Sequence, residues 1–177
     1  MPMPDHDMTG RTSTSTSTAQ VDLRAPALGD AAAMWRLARD SRVLDVNASY
    51  AYLLWARDFA ATSVVATVGD EPAGFVTGYA RPDRPETLMI WQVAVDERHR
   101  GRGLARRMLA EIVDRHGDRF SHLETTITAD NAASIALFSS FATSRGALLE
   151  RSELFAAPLF PDGHDAEVLF RIGPLHA

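Results

Sequence analysis

Apolar and polar positions change period several times along the chain, and each change marks an element. Val21 to Arg24 alternates and predicts a short first strand. Ala33, Met34, Leu37 and Ala38 then recur at helical spacing behind Asp30, a good capping residue, and predict a helix to about Asp40. A second helix is predicted from a Ser49 cap, with Tyr50, Leu53 and Leu54 on its apolar side. Three β-rich runs follow: Thr62 to Val68, Ala73 to Ala80 and Thr87 to Val95. The turn sequences Gly69-Asp70-Glu71-Pro72 and Arg81-Pro82-Asp83-Arg84-Pro85 separate them, so they read as an antiparallel meander.

The third of these runs is apolar on both alternating faces, which suits a strand covered on both sides. It leads through a charged, glycine-punctuated turn into a helix whose apolar face is Leu104, Ala105, Met108, Leu109, Ile112 and Val113. His116-Gly117-Asp118 closes that helix, and Leu123 to Thr128 is a further strand, parallel to its predecessor because a helix links them. A helix from Asn131 to about Phe141 places Ile135, Leu137, Phe138 and Phe141 in the core. Gly146 to Leu154 is a late strand, Pro158 to His164 a loop, and Glu167 to Ile172 the last strand. The sum is about seven strands and four helices, a mixed α/β domain without internal repeats.

Composition narrows the function. A chain of 177 residues with 46% hydrophobic and 23% charged residues is long enough for one sizeable core over 21–177. Met1 to Gln20, with its alternating Thr-Ser run, lacks the apolar content to offset ordering entropy and reads as a disordered tail. A net charge of -5 argues against general nucleic-acid binding. No cysteine is present, so a catalytic thiol and thiolate metal sites are excluded, and no metal is expected. No apolar run reaches membrane-spanning length and no secretory leader is seen, so a cytoplasmic protein is expected.

The charged turn carries the chemistry. Arg98, Arg100, Arg102, Arg106 and Arg107 crowd the start of a helix, where cations oppose the macrodipole by about 0.3–1 kcal/mol each. A bound polyanion gives the cluster a reason, and Gly101 and Gly103 let a phosphate approach the backbone. A dinucleotide fingerprint would want a glycine where Arg106 stands, and a Walker-type loop would need Gly-Lys-Ser/Thr. What remains, Arg98-x-x-Gly101-x-Gly103, resembles the acyl-CoA pyrophosphate signature of the GNAT superfamily of N-acetyltransferases. Asn131-x-x-Ser134-x-x-Leu137-Phe138 resembles the second motif of that family.

The resemblance implies a GNAT fold whose fourth and fifth strands splay apart to take the pantetheine arm. It implies acetyl-CoA as co-substrate, held by Val93, Ala94 and Val95 along the strand. Backbone amides of Arg100, Gly101, Arg102, Gly103, Leu104 and Ala105 would hold the pyrophosphate, with Asn131 and Phe138 alongside. Phe138 departs from the family, which often has a tyrosine there to protonate the leaving thiolate; that role cannot be carried over.

A closer resemblance spans nearly all of 21–175. Leu44-Asp45-Val46-Asn47-x-x-Tyr50-x-Tyr52-Leu53-Leu54, Gly74-Phe75-Val76-Thr77-Gly78-Tyr79, Trp91-Gln92-Val93-Ala94-Val95-Asp96 and Glu167-x-Leu169-Phe170-Arg171-Ile172 are similar to the diaminobutyrate acetyltransferases within that superfamily. This implies a small diamino acid as substrate, acetylated on its γ-amine for ectoine synthesis, and a homodimer. Carboxylates would attract the diamine and relay its proton. Asp45 is the first ammonium contact expected; Asn47, Tyr50 and Trp91 would shape the pocket, and His164, Asp165 and Glu167 form a late polar cluster that can reach it. Pattern alone favours turn and cap residues for Asp45 and Asn47 and a solvated loop for the late cluster, fits a core aromatic at Trp91 as well as a pocket wall, and does not name the general base. Two other readings stay open: an acetyltransferase of another amine, such as a polyamine or a protein N-terminus, and a non-catalytic acyl-CoA-binding domain.

Overall fold

The computed structural model describes residues 20–42, 44 and 46–176; the expected tail, apart from Gln20, and Asp45 lie outside the described residues. The strands are β1 (Val21–Arg24), β2 (Val64–Val68), β3 (Glu71–Arg81), β4 (Arg84–Val95), β5 (His122–Thr128), β6 (Leu148–Phe155) and β7 (Glu167–Gly173). The helices are α1 (Ala31–Ser41), α2 (Ser49–Asp58), α3 (Leu104–His116) and α4 (Ala132–Arg145). All strands join one sheet in the order β1-β2-β3-β4-β5-β7-β6. β1 to β4 pair antiparallel as a meander, and β4 with β5 is parallel, as the helical crossover requires. β7 runs between β5 and β6, antiparallel to both, an order that strand periodicity does not specify.

Each face of the sheet has its own core. On one, α3 and α4 bury Leu104, Met108, Leu109, Ile112, Phe138 and Phe141 against Val76, Leu88, Ile90, Leu123 and Ile127. On the other, α1 and α2 bury Met34, Ala38, Tyr52 and Ala56 against Val65, Phe75 and Ala94. Leu88 and Ile90 therefore serve the first core and Ala94 the second, although all have the same parity along β4.

A β-bulge explains the exchange. Thr77 pairs with Gln92 but its neighbour Gly78 pairs with Ile90, so Trp91 is the extra residue. One inserted residue turns every later side chain to the opposite face. Gln92 and Ala94 consequently face α1 and α2, while Val93 and Val95 pack against the α3–α4 core. Trp91 stacks near Trp55 of α2, with ring centroids 6.3 Å apart, and so lies across the sheet from Val93 rather than on its face.

Two expected caps are replaced. Asp30 precedes α1 but makes no cap bond; its carboxylate instead accepts from Arg24 at 2.7 Å and from the Ala27 amide at 2.7 Å. Ser49 is the first residue within α2, with Ala48 at the cap position. The meander starts two residues later than its β-rich run because the Thr62 hydroxyl donates to the Gly78 carbonyl at 2.6 Å and holds a short 3-10 turn, Ala60–Thr62.

Candidate active site

The site begins where two strands stop pairing. β4 and β5 share three register pairs, Thr87 with His122, Leu88 with Leu123 and Met89 with Glu124. At the next step a side chain takes over: the Thr125 hydroxyl donates to the Ile90 carbonyl at 3.3 Å. Beyond it the strands part, and a cleft of about 400 Å3 opens between them. Ile90, Trp91, Gln92 and Val93 line one side, and Thr125 to Thr128 with Asn131, Ser134 and Phe138 line the other.

At the far end of β4 the chain turns tightly into α3. Asp96 accepts the Arg98 backbone N–H at 2.9 Å and starts a 3-10 turn over Glu97–His99. Gly101 and Gly103 then take φ of +74° and +69°. An L side chain is disfavoured there by about 1–2 kcal/mol. A Cβ at either position would meet nothing within 4 Å, so the backbone faces open space on that side. The first bond back to the Gly103 carbonyl comes from the Arg107 amide at 3.1 Å. The N–H groups of Leu104, Ala105 and Arg106 consequently point out of the helix start without an intrahelical partner. A second cleft, of about 420 Å3, lies over this turn and is lined by Val95, Arg100, Gly101, Gly103, Ala105 and Arg106 among others. With Val93 in the first cleft and Val95 in the second, the two follow each other along β4.

The arginines divide into two groups. Arg98 is bound to Asp96 at 3.0 Å and to Glu71 at 2.9 Å, and Arg100 donates to the Val95 carbonyl at 3.3 Å. The side chains of Arg102 and Arg107 have no hydrogen-bond or ion-pair partner among the described residues. Asn131 caps α4, its Oδ1 accepting from the Ser134 amide at 3.0 Å, which aims the cap residue at the cleft. This cradle of parted strands, open glycine backbone and outward N–H groups fits a long ligand with a diphosphate at one end. Among the described residues no cluster of three or more His, Asp or Glu is arranged to hold a metal ion.

The same parted-strand architecture is shared with known proteins. The profile described as the acetyltransferase (GNAT) family matches residues 31–142. The chain belongs to the GNAT acetyltransferase family. It is 58% identical over 169 residues to an L-2,4-diaminobutyric acid acetyltransferase of Streptomyces coelicolor, covering 90% of this chain and 97% of that one. Against the L-2,4-diaminobutyric acid acetyltransferase of Marinococcus halophilus identity is 42%, over 94% and 97% of the two chains. Among solved structures, diaminobutyrate acetyltransferase EctA from Paenibacillus lautus, in complex with L-2,4-diaminobutyric acid and coenzyme A, superposes with a TM-score of 0.84 at 35% identity. That match covers 90% of this chain and 98% of the other.

Within this GNAT fold, the residues expected on the amine side separate. Asn47, Trp91, His164 and Glu167 line the first cleft together. Tyr50 is 65% exposed and Asp165 is also exposed; neither lines it, and Asp45 lies outside the described residues. Ala94 is buried toward α1 and α2, so it offers only its backbone. An aromatic pair that periodicity did not reveal lines the same cleft: Phe155 from β6 and Phe160 from the following loop, with Phe160 4.7 Å from the His164 ring. His164 Nδ1 lies 2.7 Å from the Asp165 carbonyl, and only a protonated Nδ1 can donate to it. His164 Nε2 lies 3.6 Å from Glu167 Oε1. Tyr52, also unremarked in the pattern, is fully buried below the cleft and donates to Gln92 Oε1 at 3.1 Å.

Proposed function

We propose that this GNAT enzyme transfers the acetyl group of acetyl-CoA to the γ-amine of L-2,4-diaminobutyrate, giving Nγ-acetyl-L-2,4-diaminobutyrate for ectoine synthesis. The observation that carries the reading is near-full-length similarity, at 35–58% identity, to proteins of that name, one of them solved with diaminobutyrate and coenzyme A. The parted strands and the glycine turn give both ligands a place.

Acetyl-CoA supplies an activated acyl group on a thiol leaving group with a pKa of about 8.5. The protein's own groups do the rest. Val93 and Val95, on the part of β4 that no longer pairs with β5, offer backbone groups to the pantetheine amides. Amides from Arg100 to Ala105, with the Arg102 guanidinium, hold the pyrophosphate. Asn131 and Phe138 close the opposite wall.

The amine must arrive as an ammonium and attack as a neutral nucleophile. Glu167 attracts the cation and His164 Nε2, beside it, receives the proton that the nitrogen gives up. Nitrogen then bonds to the acyl carbon, the adduct gives its second N–H proton to solvent, the C–S bond breaks, and the sulfur leaves as a thiolate that takes a proton from water or a neighbouring hydroxyl. Trp91, Phe155 and Phe160 give the cleft an apolar lining.

Incubating the protein with acetyl-CoA and a panel of amines, with free thiol and product mass read out, tests the reading. Turnover of diaminobutyrate with a single acetyl added is expected. Turnover of spermidine or a peptide N-terminus without diaminobutyrate would replace it with another amine, and cofactor binding without turnover would leave a binding domain. The enzyme is read as a cytoplasmic homodimer; the edge strand β6 and its following turn expose Leu148, Leu154, Phe155 and Leu159, apolar surface that a second copy would cover. Among the described residues no helix is long and apolar enough to cross a membrane.

A further inference from the structure

We infer that Tyr52 is a positioning residue for the amine site, its hydroxyl tying the α1–α2 loop at Asn47 to the bulge of β4 at Gln92. This rests on the diaminobutyrate reading above. The ring of Tyr52 is wholly buried and meets Phe75 edge-on, with centroids 6.1 Å apart. Packing alone would be served as well by phenylalanine. A buried hydroxyl needs a partner, and this one uses a side chain that lines the cleft: it donates to Gln92 Oε1 at 3.1 Å. Asn47, on the loop before α2, acts on the Tyr52 hydroxyl through side chain and backbone, pulling its pKa down. Burial raises the phenol's pKa, against the opposing pull of Asn47 and Gln92, so the group remains a neutral donor at physiological pH.

The bulge makes this link possible. Were the alternation of β4 unbroken through Trp91, Gln92 would share the face of Ile90, toward α3 and α4, and could not reach α2. With the bulge, the hydroxyl helps to orient an amide inside the cleft next to the loop that carries Asn47, itself a lining residue. An alternative partner is close. Thr77 stands opposite Gln92 in register, on the same face, and its buried hydroxyl has no hydrogen-bond partner. Directly opposed side chains start about 4.5–5.5 Å apart, within reach of a glutamine amide. If Tyr52 loses its hydroxyl, Gln92 can turn to Thr77 and the Asn47 loop is released from below.

The test is steady-state kinetics on the full chain with Tyr52→Phe, Gln92→Leu and the double variant. For Tyr52→Phe the KM for diaminobutyrate is expected to rise about five- to tenfold, the effect of one hydrogen bond, while the KM for acetyl-CoA stays within about twofold. The thermal midpoint should move little, since the ring and its packing remain. If the hydroxyl acts through Gln92, the double variant is no worse than Gln92→Leu alone, whereas independent structural roles would multiply. Equal rises in both KM values, or multiplying effects, would reduce Tyr52 to a packing residue. Unchanged amine KM in Tyr52→Phe, with normal wild-type turnover of diaminobutyrate, would overturn the positioning role alone. Absence of that turnover in the wild type would overturn the functional reading and this inference with it.

Discussion

The two ends of the cleft use arginine in opposite ways. At the closed end, where β4 and β5 make their last pair, Glu124 is 1% exposed and accepts from Arg81 on β3 and Arg171 on β7. One carboxylate thus joins three strands across the point where the sheet starts to split. At the open end the side chains of Arg102 and Arg107 stand near unpaired helix N–H groups with no protein partner among the described residues. Positive charge at the closed end holds the fold, and at the open end we propose that it is left for an anion. Arg98 shows that sequence proximity does not decide between these uses: it belongs to the glycine signature, yet Asp96 and Glu71 hold it.

The sharpest way to break this contrast is to remove the closed-end carboxylate. Glu124→Leu leaves two guanidiniums facing each other without a counter-charge. Breaking a buried pair costs about 3–5 kcal/mol, and partial exposure of the arginines reduces this to about 2–4. Denaturant unfolding should show that loss, with the acetyl-CoA KM of the folded enzyme unchanged. A loss below about 0.5 kcal/mol would mean that the clip does not hold the split sheet. The same group sets a pH dependence. Burial raises the Glu124 pKa, but Arg81 and Arg171 outweigh it and hold the carboxyl below its ordinary value of 4.5. A depressed pKa stabilises the fold fully above that ordinary value, and the contribution disappears as pH falls through the folded-state value. Wild type should lose stability over that acid range more steeply than Glu124→Gln; parallel profiles would contradict the assignment.

At the open end, Gly103→Val combines two effects. It forces a β-branched residue to φ near +69° and places its methyls over the outward N–H groups. An acetyl-CoA KM more than about tenfold higher is expected, with a stability loss of about 1–2 kcal/mol. Calorimetric titration with coenzyme A separates the two, and unchanged affinity would move the diphosphate away from this turn. Arg102→Glu is the milder change. Because the site is exposed, the cofactor KM should rise several-fold at low salt and the difference should shrink toward about 0.15 M ionic strength, where the screening length is about 8 Å. A salt-independent defect would indicate misfolding of the turn instead of a lost charge contact.

Much of this contrast was legible in the sequence, but unevenly. The open end is written locally: strand, glycines, arginines and helix follow one another within a few residues, so spacing alone predicts an anion-binding turn. The parallel pairing of β4 and β5 also follows from the helix between them. The closed end is written non-locally. Glu124 sits among threonines and leucine in a strand that alternates, where a polar position normally reads as solvent-facing, and its partners are 43 and 47 residues away. The bulge at Trp91 escapes for a related reason, since a bulge is defined by the partner strand's register. Hence Trp91 and Val93, equal in parity, lie on different faces, and Gln92 meets Tyr52. Helix α2 shows the same limit: the pattern puts Tyr50, Leu53 and Leu54 on its apolar side, yet Tyr50 and Leu53 are exposed and Tyr52 and Ala56, on another side, are buried. The wall of Phe155 and Phe160 depends on β7 inserting between β5 and β6, an order that neither strand's composition encodes.

The smallest effect is expected where the family pattern is missing. Phe138 is buried against the α3–α4 core and lines the cleft, but it has no proton to donate to a departing thiolate. Phe138→Tyr would add a hydroxyl one helix turn beyond Ser134, on the same side of α4. If leaving-group protonation limited turnover, kcat should rise by a factor typical of general acid catalysis, about a hundredfold. A thiol of pKa about 8.5 leaves readily without a donor at neutral pH, so a change in kcat below about threefold is expected. High pH sharpens the test. Above the thiol pKa the thiolate is a stable product and a donor gains nothing, so any benefit of the tyrosine should fade there. A gain that persisted would mean that the new hydroxyl repositions the acyl group instead of supplying a proton. A gain near a hundredfold confined to neutral pH would show that this cleft lacks an acid that the chemistry needs.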